Sequence, residues 1–262
     1  MYQDSKKRNS KLATMVELAG LCSLLAAVIY LTTFAGVGMV GLSWDTLNHH
    51  IYLGMTAERP RWHLDAFAAG SQTYQYPYLY WPIYRLSLLD LPANVFWQIW
   101  SAVVALLVVP PMWLIVRALI PSCAPWWKSA SVRLTALSMS VISLPVIFSI
   151  QTTSNDIFAS SPVLWALALF CSRDSSVWPQ RGGAFLLGVA TAFKLSNIVF
   201  WPLLLTMSGH LFPLKQAAAR LASVFAVAIV GYGIAYAPWG LQLFRETGNP
   251  FYPFLMAHIS RQ

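Results

Sequence analysis

Residues 91–116 read LPANVFWQIWSAVVALLVVPPMWLIV, 26 positions without a charged side chain. A helix needs about 20 such residues to cross a hydrocarbon core roughly 30 Å thick. The run is apolar on every side, without the alternation that marks a half-buried strand or an amphipathic helix. Comparable uncharged runs occupy 18–44, 134–155, 157–172, 195–214 and 221–244. Six of them cannot be packed as cores in one soluble domain of 262 residues. Composition agrees: 57% of the chain is apolar and 10% charged, where a soluble domain carries about 25% charged residues. The expected architecture is all-α, a polytopic transmembrane helix bundle with about seven membrane segments.

Charge sets the direction of threading. Lys6, Lys7, Arg8 and Lys11 precede the first apolar run. Counted only over 18–40, that run is too long for the 7–15-residue core of a cleavable signal. It is expected to be a retained anchor with a cytoplasmic N-terminus. The chain then divides into a first span (13–40), a long extracytoplasmic loop with interfacial helices (41–93), the remaining spans (94–237) and an extracytoplasmic tail (238–262). All belong to one transmembrane domain, 1–262. The loop holds Asp45, Glu58, Asp65 and Asp90, four of the nine acidic residues. Pro110–Pro111 should kink the second span. Arg117, Lys128 and Arg133 mark a cytoplasmic loop. The third span leads out to Asn155–Asp156, and the fourth leads back to Arg173 and Arg181.

Residues 182–214 admit two threadings, because Lys194 interrupts them. One tilted helix would bury the ammonium near mid-membrane, at about 2.5–3.5 kcal/mol or more without a partner. Two short arms would instead form a hairpin with Lys194 towards its tip. The hairpin is preferred, with Ala184, Gly188 and Ala192 giving its first arm a smooth face for close helix packing. The last span, about residues 217–237, then exposes the tail outside.

The net charge of +8 is accounted for by cations at the ends of apolar runs, so no nucleic-acid partner is expected. Cys22, Cys123 and Cys171 are isolated and read as small buried hydrophobes, without the spacing of a zinc site or disulfide framework. No P-loop, H-E-x-x-H or G-x-S-x-G occurs, which leaves ATP-driven transport, zinc proteolysis and serine hydrolysis without support.

Ionisable residues at membrane depth or at its surface are the functional candidates. In WDTLNHH (44–50), a helix would put Asp45, Asn48 and His49 on one face. Asp45 reads either as a general base tuned by low dielectric or as the N-cap of an interfacial helix. The stretch YQYPYLYWPIYR (74–85), which includes Tyr76, reads as an aromatic belt at headgroup level or as a stacking platform for a sugar or lipid. Asp156 reads as a functional acid or a helix cap. Lys194 and Arg245 together suit a phosphate. Alternatively Lys194 snorkels, and Gly248–Asn249–Pro250 is a turn.

Taken together, the layout resembles the membrane glycosyltransferases of the C-type fold, near the bacterial family-39 and family-87 groups. The resemblance rests on Asp45 with Asn48 and His50 after the first span, and on the long first loop. It continues through the aromatic–proline stretch 76–82, SND at 154–156, GVATAFKLSN at 188–197 and TGNPFYPF at 247–254. It implies a multi-pass protein of the bacterial inner membrane. Such a protein moves a sugar, with inversion, from a polyprenyl-phosphate donor to a lipid, glycan or protein acceptor at the extracytoplasmic face. By that likeness Asp45 is the catalytic base. Asn48, His49, His50, Lys194 and Arg245 would bind donor phosphate or acceptor, with Asp156, Tyr76 and Asn249 supporting them. No cofactor is expected, and without a D-x-D pair in the loop a divalent metal has no support. The chain stops at Gln262 without a terminal anchor, as the N-terminal part of a longer protein would. The competing expectations are a transporter or flippase, whose broken helices line a path, and a non-catalytic subunit of a cell-envelope assembly.

Overall fold

The structure, a computed structural model, describes residues 2–31, 33, 45–65, 68–122, 125–150, 152–172, 176–202 and 214–254. Its regular elements, among the described residues, are all helical. Three helices contain segments long and apolar enough to cross a membrane, Lys11–Tyr30, Ala93–Leu119 and Ala218–Thr247, and Asp156–Phe170 is a shorter apolar helix. The far end of the expected first span, 34–40, lies outside the described residues. The chain divides into two compact units: residues 1–41, 91–152 and 171–174 form one, and 42–90, 153–170 and 175–262 the other.

In the first unit, α1 (Tyr2–Tyr30) packs against α4 (Ala93–Leu119) and α5 (Trp126–Val141). α1 begins well before residue 13, so the basic cluster lies on the helix itself. α4 runs through Pro110 and Pro111 without interruption, a tolerance expected of a membrane helix whose neighbours satisfy the freed carbonyls. The third apolar run departs from expectation. Its helix starts at Trp126, and a second one, α6 (Leu144–Ile150), follows after a break. Pro145 accounts for the break, since proline is accommodated only in the first turn of a helix.

Arg133, expected in a cytoplasmic loop, is therefore inside α5 and almost fully buried. Its Nη1 donates to Glu17 of α1 at 2.8 Å, while Nε and Nη2 donate to the Ile120 carbonyl at 3.0 and 2.8 Å. Nη2 also donates to Ser122 Oγ at 2.9 Å. Arg117 of α4 approaches the other Glu17 oxygen at 3.4 Å. A carboxylate with no exposed surface is offset there by two guanidinium charges, although only Oε1 is hydrogen-bonded and Oε2 has no hydrogen-bond partner.

The second unit carries α2 (Ile51–Thr56), α3 (Trp81–Ser87), α7 (Asp156–Phe170), α8 (Trp178–Phe193) and α9 (Leu214–Thr247). α7 and α8 are antiparallel: Asp156 meets Lys194, Val163 and Ala166 pack against Leu187 and Ala190, and Phe170 lies against Gly183. α8 and α9 run parallel. Ala184 packs with Val224 and Ala228, Gly188 lies against Ala228 and Tyr232, and Phe193 and Tyr236 flank the same tyrosine, Tyr76. The expected small-residue face is what meets α9. A Cβ on Gly188 would lie 1.9 Å from the Ala228 carbonyl oxygen, so only glycine admits this approach.

The backbone at Lys194 bears on the two threadings of 182–214. The backbone leaves the helix at Lys194 (φ −149, ψ 113), and a 3₁₀ helix, Leu195–Phe200, follows. Leu214 opens α9 at the opposite end of the pair. A single continuous helix through Lys194 is therefore excluded, while residues 203–213, which would complete a second arm, lie outside the described residues.

Candidate functional site

The residues that carry chemistry gather in the second unit. Asp45 has helical backbone angles (φ −65, ψ −39) and makes no side-chain capping bond, so the capping role is not realised. Thr46–His50 forms a π-helical turn. The wider i→i+5 winding brings positions 45, 49 and 50 to one side, where an α-helical count groups 45, 48 and 49. His49 Nε2 lies 3.7 Å from Asp45 Oδ1. The two imidazoles meet edge to face at 4.5 Å, and His50 stacks on Tyr80 at 4.8 Å. His50 Nδ1 is 2.5 Å from Thr153 Oγ1, which is itself 2.6 Å from Thr46 Oγ1. Gly54 permits this stack. A Cβ there would fall 2.5 Å from the Tyr80 carbonyl oxygen and 2.4 Å from Tyr84 Cβ, so α2 lies directly on the start of α3.

Both histidines are buried, whereas the Asp45 side chain is 59% exposed. Asn48 is exposed on the same turn. Burial, together with the neighbouring His49, pushes His50 down to about 4 against the opposing pull of Asp45 and Asp156. Burial also lowers His49, with Asp45 opposing it. Both rings are therefore neutral near pH 7. The Tyr80 phenol is pushed up by burial and then by Asp156 and Asp45. Both carboxylates thus act on His50 and on Tyr80, and the two acidic positions belong to one site.

Asp156 opens α7 and forms an ion pair with Lys194. Ser154 Oγ donates to its other oxygen at 3.0 Å. The break that presents Lys194 is held by Asn197, whose Nδ2 donates to the carbonyls of Ala159 and Ala190, each at 2.9 Å. Lys194 and Arg245 do not form the expected clamp. Lys194 is engaged by Asp156, and Arg245 sits exposed in the last turn of α9. It lies nine residues, about 14 Å of helical rise, beyond Tyr236, which is level with the end of α8.

Two supporting residues also take other roles. Asn249 is buried in the turn after α9, accepting from Phe251 N at 2.9 Å and donating to the Phe254 carbonyl at 2.6 Å. The turn reading applies, with Gly248 at φ 71. Tyr76 donates to the Ala235 carbonyl at 3.0 Å and packs on Phe193, Tyr78 and Tyr236. Trp239 Nε1 donates to the Tyr74 carbonyl at 3.3 Å. Tyr74, Tyr76 and Tyr78 therefore pack onto the end of α8 and the 235–239 stretch of α9, whereas Tyr80 stacks on His50. Trp81 remains outward, donating to Glu58 at 2.6 Å beside Arg85.

One ligating atom each from Asp45, His49 and His50 lies within 4.8 Å of the other two, which makes these the residues able to hold a metal. Sequence reasoning saw no such constellation, because the three converge only in the π-turn. It also missed Thr153 and Tyr80, which lie about 100 and 30 residues from His50 along the chain and meet it only in three dimensions. A cavity of about 480 Å³ along α5, lined by Leu134, Ser138, Met139 and Ile142 among others, carries no ionisable side chain. No family model, curated protein or solved structure matches this chain.

Proposed function

We propose that this protein is an integral membrane glycosyltransferase, crossing the bilayer in about seven segments with a cytoplasmic N-terminus. It moves a sugar, with inversion, from a polyprenyl-phosphate donor to an acceptor hydroxyl at the extracytoplasmic face of a bacterial inner membrane. One observation carries the reading: an accessible carboxylate, Asp45, lies beside His49, and the neighbouring His50 bonds Thr153, three residues before Asp156 and its partner Lys194. Sidedness is supported by Arg181 and Arg220, which lie at the other end of the α8–α9 pair, where the positive-inside rule expects cations.

In this mechanism Asp45 takes the acceptor proton as the acceptor oxygen attacks the anomeric carbon. The bond from that carbon to the phosphate oxygen breaks on the opposite face, and the polyprenyl phosphate leaves with the electron pair. Lys194 exchanges its contact with Asp156 for the phosphate as charge develops there. The buried neutral imidazoles and Tyr80 form a poorly hydrated wall behind the exposed base. The donor is membrane-borne, which suits a site at the ends of apolar helices.

The test is Asp45→Asn, assayed with a labelled polyprenyl-phosphate sugar. Loss of a general base lowers turnover by about two to four orders of magnitude, and unchanged turnover would remove the assignment. The break at Lys194 favours one alternative, a transporter or flippase built on interrupted helices. Substrate accumulation in vesicles, unaffected by Asp45→Asn, would select it.

A further inference from the structure

We infer that Asp45, His49 and His50 form a binding site for a divalent first-row transition-metal ion of the zinc class. One carboxylate oxygen and one nitrogen of each imidazole lie within 4.8 Å of one another, and His49 Nε2 and Asp45 Oδ1 are 3.7 Å apart. In a tetrahedral site with bonds of about 2.0–2.1 Å, neighbouring ligand atoms lie roughly 3.3 Å apart. The cluster has to contract by at most about 1.5 Å, and the exposed Asp45 side chain can supply its share of that movement. Two imidazoles and one carboxylate select a borderline-soft ion over magnesium or calcium.

Two further features separate the cluster from a pair of ordinary buried histidines. The rings sit side by side in a π-turn, a winding concentrated at functional sites, and they do not point to opposite faces. The His50 ring is also fixed from outside, by the Thr153 hydroxyl on Nδ1 and by the face of Tyr80. Such outer contacts orient histidine ligands in metal sites. The surrounding charge suits a cation: Asp45 and Asp156 both act on His50, and Lys194 is already occupied by Asp156. The open side of the cluster, at Asp45, leaves coordination positions for water or a substrate oxygen.

The inference does not rest on the transferase reading. The full chain, purified in detergent and stripped with a chelator, is titrated with zinc by calorimetry and with cobalt(II) by visible absorption. One ion per chain, with the d–d bands of a four- or five-coordinate cobalt, is the expected result. Asp45→Asn and His49→Gln should each weaken binding at least tenfold, with an unchanged far-ultraviolet spectrum. Absence of stoichiometric binding at micromolar metal, or binding undiminished in both variants, overturns the site. Sugar transfer measured with and without the ion separates the two ideas. A protein that transfers sugar but binds no metal sinks only this inference, and one that binds metal but transfers no sugar sinks only the function proposed above.

Discussion

Gly188→Ala should separate the α8–α9 pair. The added Cβ would stand 1.9 Å from the Ala228 carbonyl oxygen and 2.7 Å from the Tyr232 nitrogen, where ordinary contact begins at 3.4 Å. Both obstacles are backbone atoms, so no side chain can rotate away, and the helices must part by about 1.5 Å along that direction. Gly231 meets the Phe185 carbonyl oxygen in the same way, at 2.3 Å. Overpacking typically costs about 1–3 kcal/mol. A backbone-to-backbone clash belongs at the upper end of that range, so about 3 kcal/mol is expected. The matched control is Gly233→Ala on the same helix, where a Cβ meets nothing within 4 Å. Alanine there should be neutral or stabilising by roughly 0.5–1 kcal/mol, as helix propensity dictates. The assay is unfolding of the detergent-solubilised protein by SDS titration, followed by circular dichroism. If Gly188→Ala unfolds no earlier than Gly233→Ala, the parallel close approach of α8 and α9 is wrong.

Three other outcomes follow from the same geometry. His50 is pushed down to about 4 from an ordinary 6.5, so the unfolded chain binds its proton first. With chelator present, this group's stabilisation is complete above pH 6.5 and is lost as pH falls to 4. The total is roughly 3 kcal/mol; an SDS midpoint that drops equally in His50→Gln would contradict it. Glu17→Gln strips the carboxylate from between Arg133 and Arg117 and should destabilise by about 3–5 kcal/mol, as expected when one partner of a buried pair is removed. Glu17→Met with Arg133→Met should recover most of that loss, and a wild-type midpoint for Glu17→Gln would refute the buried triad. Finally, cysteine at the exposed Ser196, in a chain with its native cysteines replaced by alanine, should react with an impermeant thiol reagent added outside intact cells. Reaction only after the cells are opened would reverse the proposed sidedness.

Much of the architecture is legible along the chain because burial in lipid is a local, additive property. The run 91–116 announces α4 whatever its neighbours are, and the four-residue spacing of Ala184, Gly188 and Ala192 announces a close helix contact. Boundaries set by single residues are less legible. Pro145 divides the third run, and α5 reaches back to Trp126. Glu17 drew no notice because it stands at the margin of an apolar run, and nothing nearby in the chain reveals its partners. Asp45 was legible as a candidate, whereas its link to His50, Thr153 and Tyr80 was not.

Composition by itself determined that this chain carries helices long and apolar enough to cross a membrane, since the transfer free energy of a side chain depends on its own chemistry. Which charges meet was decided only by the tertiary structure. An ion pair depends on the faces that two helices turn towards each other, and that is a property of neither helix alone. Lys194 therefore finds Asp156 rather than Arg245, Glu17 finds Arg133, and the π-turn sets two histidines beside Asp45.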